Sequence, residues 1–120
     1  MKKLVEAWVA FAQRDIITAE EVLDNPLITT AVAFHCQQAI EKYFKAYLLE
    51  HDKPLIKIHN LSKLYGMVKE IKDLKIDEYL LARVDDTYVE DRYPSDLGML
   101  PDGIPTLEEA HDFLQFAKDI

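Results

Sequence analysis

The sequence predicts an all-α protein, a four-to-five-helix up-and-down antiparallel bundle that forms a single domain over residues 1–120. Apolar residues recur every three or four positions through most of the chain, and no segment alternates as a strand would. A chain of 120 residues is long enough to bury about two thirds of its unfolded surface in one core. Most of the few Gly and Pro residues fall within residues 91–105, so the earlier connections are short, which favours antiparallel neighbours.

The first helix is predicted over residues 3–23 from the spacing of its apolar side chains. Its inward face consists of Leu4, Trp8, Phe11, Ala12, Ile16, Ala19 and Leu23. Asn25 and Pro26 then interrupt the pattern. We expect Asn25 to be the N-cap of a second helix and Pro26 its first residue, because a first-turn position needs no backbone N–H donor.

The second helix, which continues to about Leu49, is predicted to lie at the centre of the bundle. At 100° per residue its apolar positions cover an arc of about 200°, against about 100° for an ordinary surface helix. These positions are Val32, Cys36, Ala39, Ile40, Tyr43, Phe44, Ala46, Tyr47 and Leu48. We therefore expect this helix to pack against neighbours on more than one side.

Two further helices are predicted before the long connection. Asn60 is the expected N-cap of the third helix. The inward face of that helix is Leu61, Leu64, Tyr65, Val68 and Ile71. The fourth helix is expected over residues 76–90, with Tyr79, Leu80, Val84 and Tyr88 facing inward. Pro94 prevents it from extending far past Arg92, because a residue before proline disfavours helical angles.

The last helix is predicted after a connection over residues 91–105, a length typical of binding or lid loops. Thr106 and Glu109 have the spacing of a capping box. The expected inward face is Leu107, Ala110, Phe113, Leu114 and Ala117.

Charge and cysteine content exclude several classes of function. Twenty-two acidic against fourteen basic residues argue against a broad duplex-DNA surface. Residues 25–72 nevertheless hold seven basic and four acidic residues, a net charge of +3. No apolar run approaches the ~20 residues of a membrane span, and no signal peptide is recognisable. The single Cys36 cannot form an internal disulfide, so we expect a cytoplasmic protein without a membrane anchor.

Candidate binding residues lie on the polar side of the second helix. His35, Gln38, Lys42 and Lys45 fall within about 80° of one another, opposite the apolar arc. This stripe of hydrogen-bond donors fits a phosphate or an acidic partner surface; alternatively, it is the solvated face of a long helix. Glu41 and Lys45 also form an i,i+4 pair, which is sufficient to explain both residues without a ligand.

Arg92 is a further candidate, at the position where the fourth helix must end and the long connection begins. Its guanidinium could hold a phosphate bidentately, or it could simply offset the negative end of the helix macrodipole. Tyr93 follows it.

No motif for a metal, a cofactor or a catalytic triad is present, so neither a metal nor a cofactor is expected. The four histidines, His35, His51, His59 and His111, do not form a metal-binding pattern. An acidic cluster comprises Asp85, Asp86, Glu90 and Asp91. Its carboxylates splay around the helix, which favours a solvated acidic face over a magnesium site.

The run AFHCQQAIEKYFKA, from Ala33 to Ala46, resembles the F-H-x-Q-Q-x-x-E-K-x-x-K-A signature of HEPN domains. Three other motifs agree in order and position: Arg14-Asp15 with Ala19, His59-Asn60-Leu61, and Arg92-Tyr93-Pro94. The resemblance covers roughly residues 4 to 118. It implies a helical bundle that forms a homodimer and that often binds a minimal nucleotidyltransferase encoded beside it, in toxin–antitoxin-like two-component systems.

Some branches of this family are metal-independent ribonucleases, which use an arginine followed by a histidine after four to six residues. No histidine stands at that spacing after Arg14, Arg83 or Arg92. The resemblance therefore does not extend to this nuclease motif, and no catalytic residue is assigned.

Three hypotheses follow. The first is a non-catalytic binding module for a nucleotide, a short RNA or a nucleotidyltransferase partner. Its binding residues are His35, Gln38, Lys42, Lys45, His59, Arg92 and Tyr93. The second is a ribonuclease with a rearranged active site. The third is a domain that only oligomerises or acts as a scaffold.

Overall fold

The computed structural model of the protein describes residues 2–87 and 104–120. This part of the chain contains five α-helices: α1 (Lys3–Val22), α2 (Thr29–Glu50), α3 (Leu61–Ile71), α4 (Glu78–Asp86) and α5 (Leu107–Asp119). No strand occurs among the described residues, and the predicted all-α bundle is confirmed. None of the five helices is both long and apolar enough to cross a membrane.

Contacts between helix ends give the bundle its up-and-down order. Lys2 Nζ donates to the carbonyl oxygen of Leu49 at 3.0 Å, so the start of α1 lies beside the end of α2. Lys69 Nζ lies 3.3 Å from Glu78 Oε2, which joins the end of α3 to the start of α4. The helices of each pair are therefore antiparallel, as their short connections require.

The central position predicted for α2 is confirmed, because α2 contacts all four other helices. Its apolar core residues are Val32, Ala33, Cys36, Ala39, Ile40, Phe44 and Leu48, all almost completely buried. The surrounding helices contribute Ile16, Ala19, Leu61, Leu64, Tyr65, Val68, Leu81, Val84, Ala110, Phe113, Leu114 and Ala117. Tyr43 and Tyr47 are only partly buried at the edge of this core. The wide apolar arc of α2 is thus covered from several directions at once.

Local capping chemistry sets the starts of α3 and α5 as predicted. The side-chain oxygen of Asn60 accepts a hydrogen bond from the backbone N–H of Lys63 at 2.9 Å. Thr106 and Glu109 form the reciprocal capping box, each side chain accepting from the other's backbone N–H at 3.1 Å. Each cap satisfies a backbone N–H that has no partner inside the helix.

Glu109 also connects α5 to α4. Arg83, which is buried, donates from Nε to Glu109 Oε2 at 3.1 Å and from a second nitrogen to Oε1 at 3.4 Å. Burial raises the pKa of Glu109, but hydrogen bonds from Arg83 and Thr106 outweigh it, so the pKa lies below its ordinary value. Beside this pair, Thr29 Oγ1 donates to the Pro105 carbonyl oxygen at 2.7 Å and ties the start of α2 to the start of α5.

The predicted N-cap at Asn25 is wrong, because α2 begins at Thr29. The Asn25 side-chain oxygen accepts from the backbone N–H of Leu27 at 2.9 Å, and its carbonyl oxygen accepts from that of Ile28 at 3.2 Å. Asparagine side chains compete for neighbouring N–H groups in this way and close an Asx turn instead of capping a helix.

The predicted extent of α4 is also wrong at both ends. The helix begins at Glu78 after an Asp77 cap, and it ends at Asp86 rather than Glu90. Thr87 donates from both its backbone N–H and its hydroxyl to the Val84 carbonyl oxygen, which tightens the last turn. Tyr88, and residues 91–103 of the predicted connection over residues 91–105, lie outside the described residues.

Several side chains predicted to face inward are exposed. Tyr79 is 77% exposed because α4 turns Leu81, two residues and about 200° further on, into the core. Leu4 and Phe11 are 53% and 49% exposed, because α1 packs on α2 through its small residues Ala12 and Ala19. Leu107, at the first turn of α5, is 37% exposed because the face that packs is centred on Ala110 and Phe113.

The observed orientation of α4 predicts opposite outcomes for two neighbouring substitutions. Leu81→Ala removes a fully buried side chain and is expected to lower the free energy of unfolding by about 2–5 kcal/mol. Tyr79→Ala removes an exposed one and is expected to change it by less than about 0.5 kcal/mol. Urea unfolding followed by circular dichroism measures both. A larger loss for Tyr79→Ala would contradict this orientation.

Candidate functional site

A buried carboxylate, Asp15, organises the junction between α1 and α2. Its side chain accepts from Lys42 Nζ at 2.5 Å and lies 2.9 Å from His35 Nδ1. An ionised carboxylate can only accept a hydrogen bond, so the Nδ1 atom of His35 is the donor in this contact. Asp15, His35 and Lys42 are called the Asp15 cluster below. The side chains of His35 and Lys42 are each about a quarter exposed.

A second buried carboxylate, Glu41, organises the junction between α2 and the start of α3. Its side chain accepts from Lys45 Nζ at 3.0 Å and lies 3.0 Å from His59 Nδ1. Gln37 Nε2 lies 3.4 Å from Glu41 Oε1 and donates to the His59 carbonyl oxygen at 3.0 Å. Gln37, Glu41, Lys45 and His59 are called the Glu41 cluster below. The predicted Glu41–Lys45 pair is confirmed.

Glu41 and Lys45 are buried to an extent that is unusual for charged side chains. The side chains of Glu41 and Lys45 are each 6% exposed, whereas that of His59 is 51% exposed. The ammonium of Lys45 also lies 5.7 Å from the centre of the Trp8 ring, on α1. Removing charges from water costs several kcal/mol per ion, which the ion pair and its hydrogen bonds must offset.

Asp85 approaches the Glu41 cluster from α4. Burial raises the pKa of the Asp85 carboxyl, although hydrogen bonds from the Leu61 backbone and the Gln37 side chain act in the opposite direction. The negative charges of Asp86 and Glu41 add to the rise. Asp85 is therefore not part of the solvated acidic face that its sequence neighbourhood suggests.

No group of three or more His, Cys, Asp or Glu side chains within residues 2–87 and 104–120 is arranged to hold a metal ion. Glu90 and Asp91, the other members of the predicted acidic cluster, lie outside that part of the chain. Burial, together with the charge of Asp15, raises the pKa of Cys36 to about 12. At neutral pH the thiol is therefore protonated, which makes it a core residue and not a nucleophile.

The stripe of donors predicted on α2 is brought together, but it is not a simple solvated face. His35 and Lys42 belong to the Asp15 cluster, whereas Lys45 is buried in the Glu41 cluster. Gln38 lies between them and donates from Nε2 to Gln37 Oε1 at 2.7 Å. The interpretation of Lys45 as a solvated donor is therefore wrong, because Glu41 and Trp8 enclose its ammonium.

The remaining predicted residues divide between the two parts of the chain. His59 stands at the exposed edge of the Glu41 cluster, whereas Arg92 and Tyr93 lie outside the described residues. Sequence reasoning did not select Gln37 or Asp85 for binding. Gln37 and Glu41 are four residues apart on α2, a signal for side-chain contact that was present in the sequence, whereas the approach of Asp85 depends on tertiary packing.

Phe34 adds an aromatic ring to this side of α2. It is 40% exposed and lies edge-on to the His35 ring, with the ring centres 5.1 Å apart. The name "polar face of α2" is used below for Phe34, His35, Gln38 and Lys42 together with His59 beside them. It presents one aromatic ring, one amide, one ammonium and two imidazoles.

The fold and these clusters define a helical bundle whose central helix carries ion pairs on its polar side. Compared with known protein families, residues 5–120 match the family model of the HEPN domain. The protein belongs to the HEPN domain family, as the run at residues 33–46 indicated. Comparisons with curated proteins and with solved structures give no match. Membership of this family supports a nucleotide- or RNA-related module.

The burial of the Glu41–Lys45 pair predicts non-additive effects of substitution. Lys45→Met leaves Glu41 buried without its ammonium partner and is expected to lower the free energy of unfolding by about 3 kcal/mol. In the double variant Glu41→Gln/Lys45→Met, neither residue of the pair carries a charge, so no buried charge is left unpaired by the change. This variant should recover at least about half of the lost free energy of unfolding. Chemical denaturation measures all three proteins. Lys63→Met, at an exposed position on α3, is the control, and an equal loss there would contradict the role of burial.

The raised pKa of Asp85 predicts a stability gain on its neutralisation. Ionised Asp85 destabilises the fold at pH values above its folded pKa, and this cost disappears below the ordinary value near ~3.9, where the carboxyl is protonated in both states. Asp85→Asn should therefore raise the thermal midpoint at neutral pH but not at pH ~3. Asp112→Asn, which alters an exposed carboxyl, serves as the control. A lower midpoint for Asp85→Asn at neutral pH would contradict this assignment.

Proposed function

We propose that the protein is a non-catalytic HEPN-type module that binds a nucleotide or a short RNA at the polar face of α2. One observation carries the proposal: two buried carboxylates each hold the Nδ1 atom of a histidine whose ring remains partly exposed. Asp15 orients His35 at one edge of the face, and Glu41 orients His59 at the other. The protein surface thus presents two imidazole rings whose orientation is fixed by buried carboxylates.

The energetics of the two clusters support a role in binding. Apolar residues of similar volume often hold a core together as well as a buried ion pair does, or better. Glu41, Lys45 and Asp85 are all partly or fully withdrawn from water at one junction of three helices. Desolvated ionisable groups concentrate at functional sites, because binding and catalysis need charges that water does not screen.

The chemistry of the polar face suits a phosphate with a base attached. Lys42 and the imidazoles can contact a phosphate, Gln38 can hydrogen-bond the edge of a base, and the exposed Phe34 ring can stack on it. Within residues 25–72, basic residues outnumber acidic ones, which favours an anionic ligand there. The rest of the chain is acidic and disfavours a long duplex. Arg92 and Tyr93, which lie outside the described residues, remain predicted members of the site.

A protein partner is the alternative occupant within the same proposal. A minimal nucleotidyltransferase is the partner that the family resemblance implies, in a two-component arrangement in the cytoplasm. An acidic or phosphorylated surface of such a partner would meet the same imidazole, amide and ammonium groups.

Calorimetric titration with ATP, GTP and a short single-stranded RNA tests the proposal. At least one of them is expected to bind, and His59→Ala should weaken that binding by about tenfold, as expected for loss of a charge-assisted contact. The matched control is His111→Ala. His111 lies on α5, is also half exposed, and its Nε2 atom lies 2.9 Å from Asp24 Oδ1. Equal effects of the two variants would contradict a site at His59. Absence of binding for all three ligands would leave only the protein-partner form.

A ribonuclease with a rearranged active site is the second candidate, favoured by the 3.0 Å contact between His59 Nδ1 and Glu41 Oε2. A carboxylate that fixes the tautomer of an imidazole is the arrangement that a general base requires. Incubation of single-stranded RNA with the protein and a chelator distinguishes the two candidates. Cleavage that is lost in both His59→Ala and Arg92→Ala would replace the non-catalytic proposal.

A further inference from the structure

The side-chain amide of Gln37 is held in one orientation by its neighbours. Gln37 is completely buried, and its Nε2 atom lies 3.0 Å from the His59 carbonyl oxygen and 3.4 Å from Glu41 Oε1. Asp85 accepts a further hydrogen bond from the same side chain. A carbonyl oxygen and an ionised carboxylate can only accept, so the reversed amide would place an oxygen against oxygens. The nitrogen of Gln37 therefore faces these groups, and its Oε1 atom is left as an acceptor for a different neighbour.

That orientation in turn fixes the amide of the next residue, Gln38. Gln38 Nε2 donates to Gln37 Oε1 at 2.7 Å, and the reversed amide would lose this hydrogen bond. Within residues 2–87 and 104–120 no donor reaches Gln38 Oε1, yet this atom is not buried. The polar face of α2 thus presents a carbonyl oxygen to solvent at this position, beside the remaining N–H of the same amide.

The neighbours of Gln38 along α2 suit a stacked base and its phosphate. Phe34 and Lys42 stand four residues before and after Gln38, so the three share one side of the helix with about 6 Å of rise between successive members. The Phe34 ring is 40% exposed, and Asp15 holds the Lys42 ammonium. A base stacked on the ring, with its phosphate at the ammonium, therefore places one edge at Gln38.

A glutamine amide of fixed orientation distinguishes bases by the order of their donors and acceptors. Adenine carries an amino group beside an unprotonated ring nitrogen, and these two groups complement the oxygen and the N–H of the amide. Hypoxanthine carries a carbonyl oxygen beside a ring N–H at the same two positions, which is the reverse order. An amide that is free to turn over pairs with either base, whereas one of fixed orientation pairs with only one of them.

We propose that the polar face of α2 selects adenine, with Gln38 as its specificity-determining residue and Gln37 as the positioning residue that fixes the Gln38 amide. The exocyclic group of a base projects furthest from the ring, so it meets the Oε1 atom of Gln38, which is open to solvent. An amino group donates to that oxygen, whereas a carbonyl oxygen is repelled by it. This inference rests on the nucleotide form of the proposed function and adds the base that the site prefers.

Calorimetric titration with two matched pairs of ligands tests the inference. The first pair is ATP and inosine triphosphate, and the second is a short oligoadenylate and the equivalent oligoinosinate. In at least one pair, the adenine ligand is expected to bind at least about tenfold more tightly, because a site that hydrogen-bonds an N–H group rejects an analogue without it. A preference within the first pair identifies a free nucleotide as the ligand, whereas a preference confined to the second identifies RNA.

Failure of this inference is distinguishable from failure of the proposed function. Equal binding within each pair, or tighter binding of hypoxanthine, overturns the inference and leaves the proposed nucleotide site in place. Absence of binding for all four ligands overturns both the inference and the nucleotide form of the proposed function.

Substitutions test the roles of the two glutamines through the ratio of the adenine and hypoxanthine affinities. Gln38→Leu should reduce this ratio to about one, since no amide is left to contact the base. Gln37→Leu should also reduce it, because the Gln38 amide can then turn over, although ATP should still bind. Partial unfolding weakens both ligands by the same factor and leaves the ratio unchanged.

Gln115→Leu is the matched control for these variants. Gln115 is an exposed glutamine on α5, and its Nε2 atom donates to Asp119 Oδ1 at 2.9 Å, so its amide is also oriented by a neighbour. This variant should keep the full preference for adenine. A preference that persists in Gln38→Leu, or that is lost equally in Gln115→Leu, would overturn the role of Gln38.

Discussion

The enclosure of α2 by four other helices is the constraint on which the rest of the structure depends. A helix of 22 residues that touches neighbours on several sides has little surface at which a charged side chain can reach water. The apolar arc of α2 forms the core, and the charged residues on its remaining side need partners of opposite charge to be stable there. The positions of α1, α3, α4 and α5 follow from which part of that arc each one covers.

The ionic pairs of the bundle are a direct consequence of this enclosure. Lys42 and Lys45 extend from α2 into partly or fully dry surroundings, and each is met by a carboxylate at hydrogen-bond distance. Asp15 comes from the facing helix, whereas Glu41 comes from α2 itself. In both cases the same carboxylate also orients a histidine, so one charge serves the packing of the helices and the direction of an imidazole at the surface.

Features that depend on local chemistry were predictable from the sequence, whereas those that depend on tertiary neighbours were not. The caps at Asn60 and Thr106 involve only residues within one turn, and they occur where the sequence places them. Asn25 shows the limit of the same reasoning, because an asparagine can close an Asx turn or cap a helix with similar local bonds. Periodicity likewise gives the width of an apolar face but not its direction.

The direction of each face is set by which neighbour packs against it, and this explains the remaining differences. Phe11 and Tyr79 are apolar enough for a core, yet α1 and α4 turn smaller or differently placed residues inward. The burial of Lys45 has the same origin, because it requires the Trp8 ring of another helix above its ammonium. The residues of the polar face could be named from the sequence, but their carboxylate partners determine which of them reach solvent.

The double role of Glu109 has a consequence for how this chain can change over evolution. Its carboxylate caps α5 and also holds Arg83 of α4, while Thr29 holds the Pro105 carbonyl oxygen nearby. A substitution of Glu109 therefore removes a helix cap and an ion pair between two helices in one step. Selection acts on both interactions together at this position, so fewer replacements are tolerated here than at a residue with a single partner.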